Sequence, residues 1–107
     1  MDDKQLGDFQ NIEEVKTQNR RKGQHFFDAS TMRFFGSRVG YRIYGGCYFV
    51  TSEQDNYGGG ARRYTVRVAY ACGDIDTVGD FQAFDTHRQA VAFARNLAAK
   101  LDMGVTV

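Results

Sequence analysis

Two histidines, two cysteines and one close pair of aspartates are the residues of this chain whose types can carry chemistry. His25 and His87 would need a third ligand to hold a metal, and no His-x3-His or Cys-x2-Cys spacing supplies one. Cys47 and Cys72 stand 25 positions apart with no Cys-x-x-Cys pair, so they give neither a zinc site nor a disulfide scaffold. Asp74 and Asp76 are two apart and on a strand would share a face at about 7 Å, a separation open to acid–base work. Gly73-Asp74 at a strand junction already accounts for Asp74 as turn chemistry. No Ser or Cys nucleophile has a motif around it. Gly58-Gly59-Gly60 is followed by neither Lys-Ser/Thr nor a helix start, so it is not a phosphate loop. The expectation is a non-enzyme with no catalytic residues, no metal and no cofactor.

The remaining functional signal is an interleaving of cations with aromatic rings. Arg33, Arg38, Arg42, Arg62, Arg63 and Arg67 lie beside Phe34, Tyr41, Tyr44, Tyr48, Tyr57 and Tyr64. Arg and Tyr are the residue types on which protein interfaces concentrate their binding energy. Tyr41, Arg42, Tyr44, Arg62, Arg63 and Arg67 are therefore the expected partner-binding residues. The alternative is a nucleic-acid module, in which Arg20, Arg21, Lys22, Arg42 and Arg67 contact phosphates and exposed rings stack on bases. Net charge weighs against that alternative. Fourteen basic and 13 acidic residues leave +1, whereas a polyanion binder ordinarily shows a large basic excess.

Composition sets the frame for these side chains. A chain of 107 residues with 42% hydrophobic content, nine Phe and six Tyr is enough for one packed domain. No apolar run approaches 18 residues and no signal peptide is visible, which points to a soluble, intracellular protein with no membrane partner. Residues 1–24 are polar. Leu6, Phe9, Ile12 and Val15 recur every three positions, a series too broad on a helical wheel for one buried stripe. This region reads as a mobile N-terminal arm with a short helix over Gln10 to Gln18, and residues 25–107 as a single α+β domain.

Within that domain, Asp28 to Gly36 reads as a two-turn helix capped by Asp28 or Ser30. Val39, Tyr41 and Ile43 alternate as a strand, Gly45-Gly46 marks a hairpin, and Cys47 to Ser52 returns as its partner. Glu53 to Ala61 is a loop. Tyr64, Val66, Val68 and Tyr70 face one way in the next strand, while Thr65, Arg67 and Ala69 face the other. Ile75 to Phe84 is a fourth strand, bulged or at an edge, with Gly79 inside it. Thr86-His87-Arg88-Gln89 fits a capping box, opening a helix whose apolar face is Ala90, Phe93, Ala94, Leu97 and Leu101. Val105-Thr106-Val107 is a candidate terminal strand. The expected fold is α+β, an antiparallel four-stranded sheet with a short N-terminal helix and a long C-terminal helix packed on one face.

The run from His25-Phe26-Phe27 through Thr31-Met32-Arg33-Phe34-Phe35-Gly36-Ser37-Arg38 resembles a family of small uncharacterised proteins encoded by phages, plasmids and other mobile elements. Tyr48-Phe49-Val50-Thr51-Ser52-Glu53, Arg63-Tyr64-Thr65-Val66-Arg67 and Thr77-Val78-Gly79-Asp80-Phe81-Gln82-Ala83-Phe84 fit the same pattern. The resemblance covers about residues 25–100 and implies mobile-element origin; it carries over no catalytic residues. A weaker similarity is to the double-stranded-RNA-binding domain, whose last helix opens on a Lys-rich cluster. Here that turn holds Arg88 as its one permanent cation, a departure that argues against duplex binding. The resemblance implies an accessory protein of a mobile element that works in the bacterial host cytoplasm by binding a host protein, an inhibitor of bacterial immunity of the anti-CRISPR kind being one form such proteins take.

Overall fold

Side chains that alternate between apolar and polar along an extended backbone put one kind on each face. Three such segments pair antiparallel in the order β1-β2-β3: Tyr48–Glu53 (β1), Arg63–Ala69 (β2) and Ile75–Val78 (β3). The fold is that of a computed structural model, which describes residues 5–28, 30, 42–53 and 62–102. Tyr48 lies opposite Val68, Val50 opposite Val66, and Val66 opposite Val78. This register lines up Tyr48, Val50, Val66, Val68 and Val78 as one apolar face, since a slip of one residue would send all of them to the other side.

The helix His87–Asp102 covers that face, bringing Ala90, Ala94 and Leu97 onto the valines. Its start is the capping box expected from Thr86 and Gln89. Gln89 N donates to Thr86 Oγ1 at 3.2 Å, and Thr86 N donates back to Gln89 Oε1 at 3.3 Å. Ala90 and Ala94 are fully buried, so the helix lies close against the sheet.

A second helix packs on the opposite face, where a mobile arm was expected. Ile12–Arg21 (α1) buries Ile12 and Val15 in a cluster with Phe27, Phe49 and Ala69. The long helix His87–Asp102 is accordingly α2, and the described fold has three layers. Capping explains why so polar a segment is helical. Asn11 Oδ1 accepts from Glu14 N at 3.0 Å, while Glu14 Oε1 accepts from Gln10 N at 2.9 Å. Glu13 and Glu14 in the first turn, with Arg20 and Arg21 in the last, match the helix dipole. Gly23 ends it in the left-handed conformation, its N–H donating to Arg20 O at 2.9 Å.

Asn19 fastens α1 to the sheet. It is fully buried, and Nδ2 donates to Gly73 O at 2.9 Å while Oδ1 accepts from Phe26 N at 3.2 Å. Gln24 Nε2 reaches Asp74 Oδ1 at 2.6 Å, which places Asp74 in a structural tie. Residues 5–9 form a strap over the sheet end, with Gly7 N donating to Ala69 O and Phe9 N to Gly46 O. Residues 5–24 are thus packed against the domain.

The sheet has three strands among the described residues where four were expected. Most of the candidate strand Val39–Tyr44 lies outside the described residues, and its described end contributes only the bridge between Tyr44 and Tyr48. Gly45 and Gly46, at φ 63° and 83°, make the expected turn, but Gly46 O is taken by the strap. The last strand stops at Val78 because Gly79 turns it at φ 75°. Phe84 returns to pair with Tyr64 through two hydrogen bonds of 2.9 and 3.1 Å. The helix expected over Asp28–Gly36, the loop expected over Glu53–Ala61 and the terminal strand Val105–Val107 fall largely or wholly outside the described residues, and Glu53 itself is the last residue of β1 rather than loop.

Candidate functional site

The second face of the sheet is apolar at the α1 end and ionic at the other. Thr51 and Glu53 of β1, Thr65 and Arg67 of β2, and Thr77 of β3 share this face by parity, Thr51 opposite Thr65 and Arg67 opposite Thr77. All but Thr77 are buried, Glu53 to 1% exposure and Arg67 to 6%. A charge at such depth is stable only when its lone pairs and protons are met.

Here they are met largely by hydroxyls. Glu53 accepts from Thr51 Oγ1 through Oε2 and from Thr65 Oγ1 through Oε1, both at 2.5 Å. Arg67 Nε donates to Thr51 Oγ1 at 3.0 Å and Nη1 to Thr77 Oγ1 at 2.6 Å, with Nη2 3.6 Å from the Glu53 carboxylate. Burial pulls the Arg67 pKa down, while the buried Glu53 carboxylate pushes it back up. The guanidinium also lies 5.5 Å from the Phe26 ring and 5.4 Å from the Phe81 ring, each within cation–π range.

The turn after β3 is tied to this network. Gln82 N donates to Thr65 Oγ1 at 2.8 Å and Gln82 O accepts from Arg63 Nε at 2.9 Å. Gln82 sits at φ 57°, a left-handed conformation that costs a non-glycine residue roughly 1 kcal/mol or more. Phe81, one residue earlier, is 51% exposed. Chemically the cluster is a donor–acceptor circuit in which Glu53 and Arg67 link three strands and one turn.

The expected partner-binding residues do not form a single exposed face. Arg67 is interior: its parity with Glu53 turns it into the network. Arg63 is half-exposed and engaged with Asp85 at 2.6 Å. Arg62 is exposed and its Nη1 donates to Ser52 Oγ at 2.9 Å. Arg42 is exposed, Tyr44 is half-buried against the core under Arg95, and Tyr41 lies outside the described residues. Arg20, Arg21 and Lys22 are exposed at the end of α1, where Arg21 shares a shallow groove with Asp8, Glu13 and Glu14.

His25 Nδ1 is 2.6 Å from Asp28 Oδ2 at the surface, and His87 packs its ring 5.7 Å from Tyr64. Cys47 is buried and Cys72 exposed. Among the described residues no group of three His, Cys, Asp or Glu is placed to hold a metal ion, and no helix is long and apolar enough to cross a membrane.

Sequence reading missed Glu53, Thr51, Thr65, Thr77 and Phe81 as members of a site. The available signal was parity: opposite charges on matching faces of neighbouring strands, each two residues from a threonine. The segments Tyr48–Glu53, Arg63–Arg67 and Thr77–Phe84, quoted above for their resemblance to one family, are the ones that converge on this circuit. The architecture defines an α+β domain with a buried ionic network under one sheet face. Residues 11–95 match the sequence profile of a family of unknown function, DUF7447, and the chain belongs to that family. No curated protein and no solved structure matches it.

Proposed function

We propose that this protein acts by binding another protein and transforms no substrate. The observation that supports this reading is the fate of the ionisable groups that do converge. Glu53 and Arg67 are taken up by each other and by three threonines, so the interior polar chemistry serves the scaffold. On this reading the chain is a cytoplasmic accessory protein of a phage or other mobile element. It acts as a stoichiometric inhibitor of a bacterial immune system, of the anti-CRISPR kind, and needs no cofactor.

The test is a phage challenge of bacteria carrying an active CRISPR system, with and without this chain. Plaque formation should rise by orders of magnitude, and the purified chain should co-elute with an immune effector in a fixed molar ratio. A phage titre unchanged by the chain, together with turnover of any substrate by the purified protein, would overturn the proposal. The nucleic-acid alternative retains Arg20, Arg21, Lys22 and Arg42 but loses Arg67. It predicts oligonucleotide binding that collapses as salt rises.

A further inference from the structure

We infer that the outer edge of β3 takes up an extended segment of the partner protein as an added antiparallel strand, with a Lys or Arg of that segment opposite Asp76; the inference rests on the protein-binding reading above. The direction of the backbone groups carries it first. Tyr70 N donates to Asp74 O at 2.8 Å, and Ala69 N donates to Cys47 O at 2.7 Å. Hydrogen-bonded pairs alternate along an antiparallel ladder, so Val68–Asp76 and Val66–Val78 are the bonded pairs that follow. Ile75 and Thr77 therefore point both N–H and C=O away from β2. Among the described residues β3 pairs with β2 alone, and nothing meets those outward groups. A row of open donors and acceptors is a template for another strand.

Side chains hold this edge in place before any partner arrives. Ile75 packs on the α1 cluster and Val78 on the α2 core, while Thr77 Oγ1 accepts from Arg67 Nη1 at 2.6 Å. Gly73 and Gly79 turn the chain away at either end, at φ 105° and 75°. A strand fixed in this way gives up little backbone entropy when a peptide adds to it.

Charge chooses the occupant. Asp76 is the exposed residue of β3, and among the described residues it makes no ion pair. Aspartate is poorly suited to a strand, so its place opposite Val68 on an otherwise apolar face is not explained by the fold. Two copies joined through this edge, with Ile75 bonded to Thr77, would set one Asp76 directly against the other, and like charges there repel. A Lys or Arg on the incoming strand reverses that sign. It would face Asp76 at a non-hydrogen-bonded position, where Cβ atoms approach to about 4.5–5.5 Å. The edge thus rejects a second copy and accepts a cationic segment.

The test pans a display library of random peptides, each of about nine residues and long enough to span β3, against the full-length chain. Amide exchange along β3 is followed by NMR. In the free chain Ile75 and Thr77 should exchange rapidly while Asp76 and Val78 are protected. Selected peptides should share a Lys or Arg at one position, and at saturation should slow exchange at Ile75 and Thr77 about tenfold or more. Asp76→Lys should bind those peptides about tenfold more weakly and should itself select Asp or Glu at that position. Asp76→Asn, expected to bind about threefold more weakly, replaces it if melting shows the lysine variant unfolded. Protection of Ile75 and Thr77 in the free chain overturns the inference. So does a peptide that leaves both amides exchanging or binds the Asp76 variant equally, and so does recovery of no peptide. Each of these outcomes leaves the protein-binding reading standing or falling on the co-elution result alone.

Discussion

Glu53 and Arg67 each stabilise the fold only while the other is present. Glu53→Gln leaves a guanidinium buried beside a neutral amide, and breaking a buried pair from one side costs about 3–5 kcal/mol. Urea denaturation should show that loss with little change in slope. A double replacement, Glu53→Leu with Arg67→Met, should recover most of it, because a packed apolar pair removes the desolvation of both charges. The two thiols divide in the same way between interior and surface. Burial lifts the Cys47 thiol from its ordinary 9.0 to about 11, and Asp8 adds to the rise. Between pH 9 and about 11 only the unfolded chain gains the thiolate, so stability should fall across that window. Tyr48, also raised by burial, adds to the loss above pH 10. Cys47→Ala should flatten the lower part of the curve. An aromatic disulfide reagent should modify Cys72 in the native protein and reach Cys47 only on unfolding.

At the scale of elements, close approach sets the tolerances. A Cβ at Gly73, which is at φ 105°, would lie 2.5 Å from the Gln18 carbonyl oxygen of α1. Gly73→Ala should therefore cost about 1–3 kcal/mol in the thermal melt through strain and displacement of the helix. Thr86→Ala removes one half of the capping box and should cost about 1 kcal/mol, visible as a lowered melting temperature. These elements differed in how far their residues announced them. β1, β2 and α2 were legible because alternation, an apolar stripe and a capping box each agreed with the packing partner that the sheet supplies. α1 was legible as a helix but not as a layer. Its buried contacts are Ile12, Val15 and an asparagine, and no apolar stripe distinguishes Asn19 from a wet side chain. The Asn11-x-x-Glu14 cap was the missed signal. The ionic circuit was hidden for a related reason: Thr, Glu and Arg on alternate positions read as a solvent face until the depth of the face is known.

For the whole molecule, the two-faced sheet makes residues 5–24 part of the domain. Removing them strips Ile12 and Val15 from Phe49 and Ala69, each worth about 1.5–3 kcal/mol of burial, together with the Asn19 and strap hydrogen bonds. Against a total stability of about 5–15 kcal/mol, a chain beginning at residue 25 should be largely unfolded, with dispersed amide resonances lost from its NMR spectrum. A detachable arm would instead leave that spectrum nearly unchanged.

The tie between Asn19 and Gly73 spans 54 positions, and Gln18 reaches Ala71 across 53. During synthesis, α1 leaves the ribosome long before the turn that receives it has been translated. Ile12 and Val15 remain in water for the several seconds that those intervening codons require. Emergence of the β2–β3 turn is therefore the step that lets α1 dock and bury those side chains.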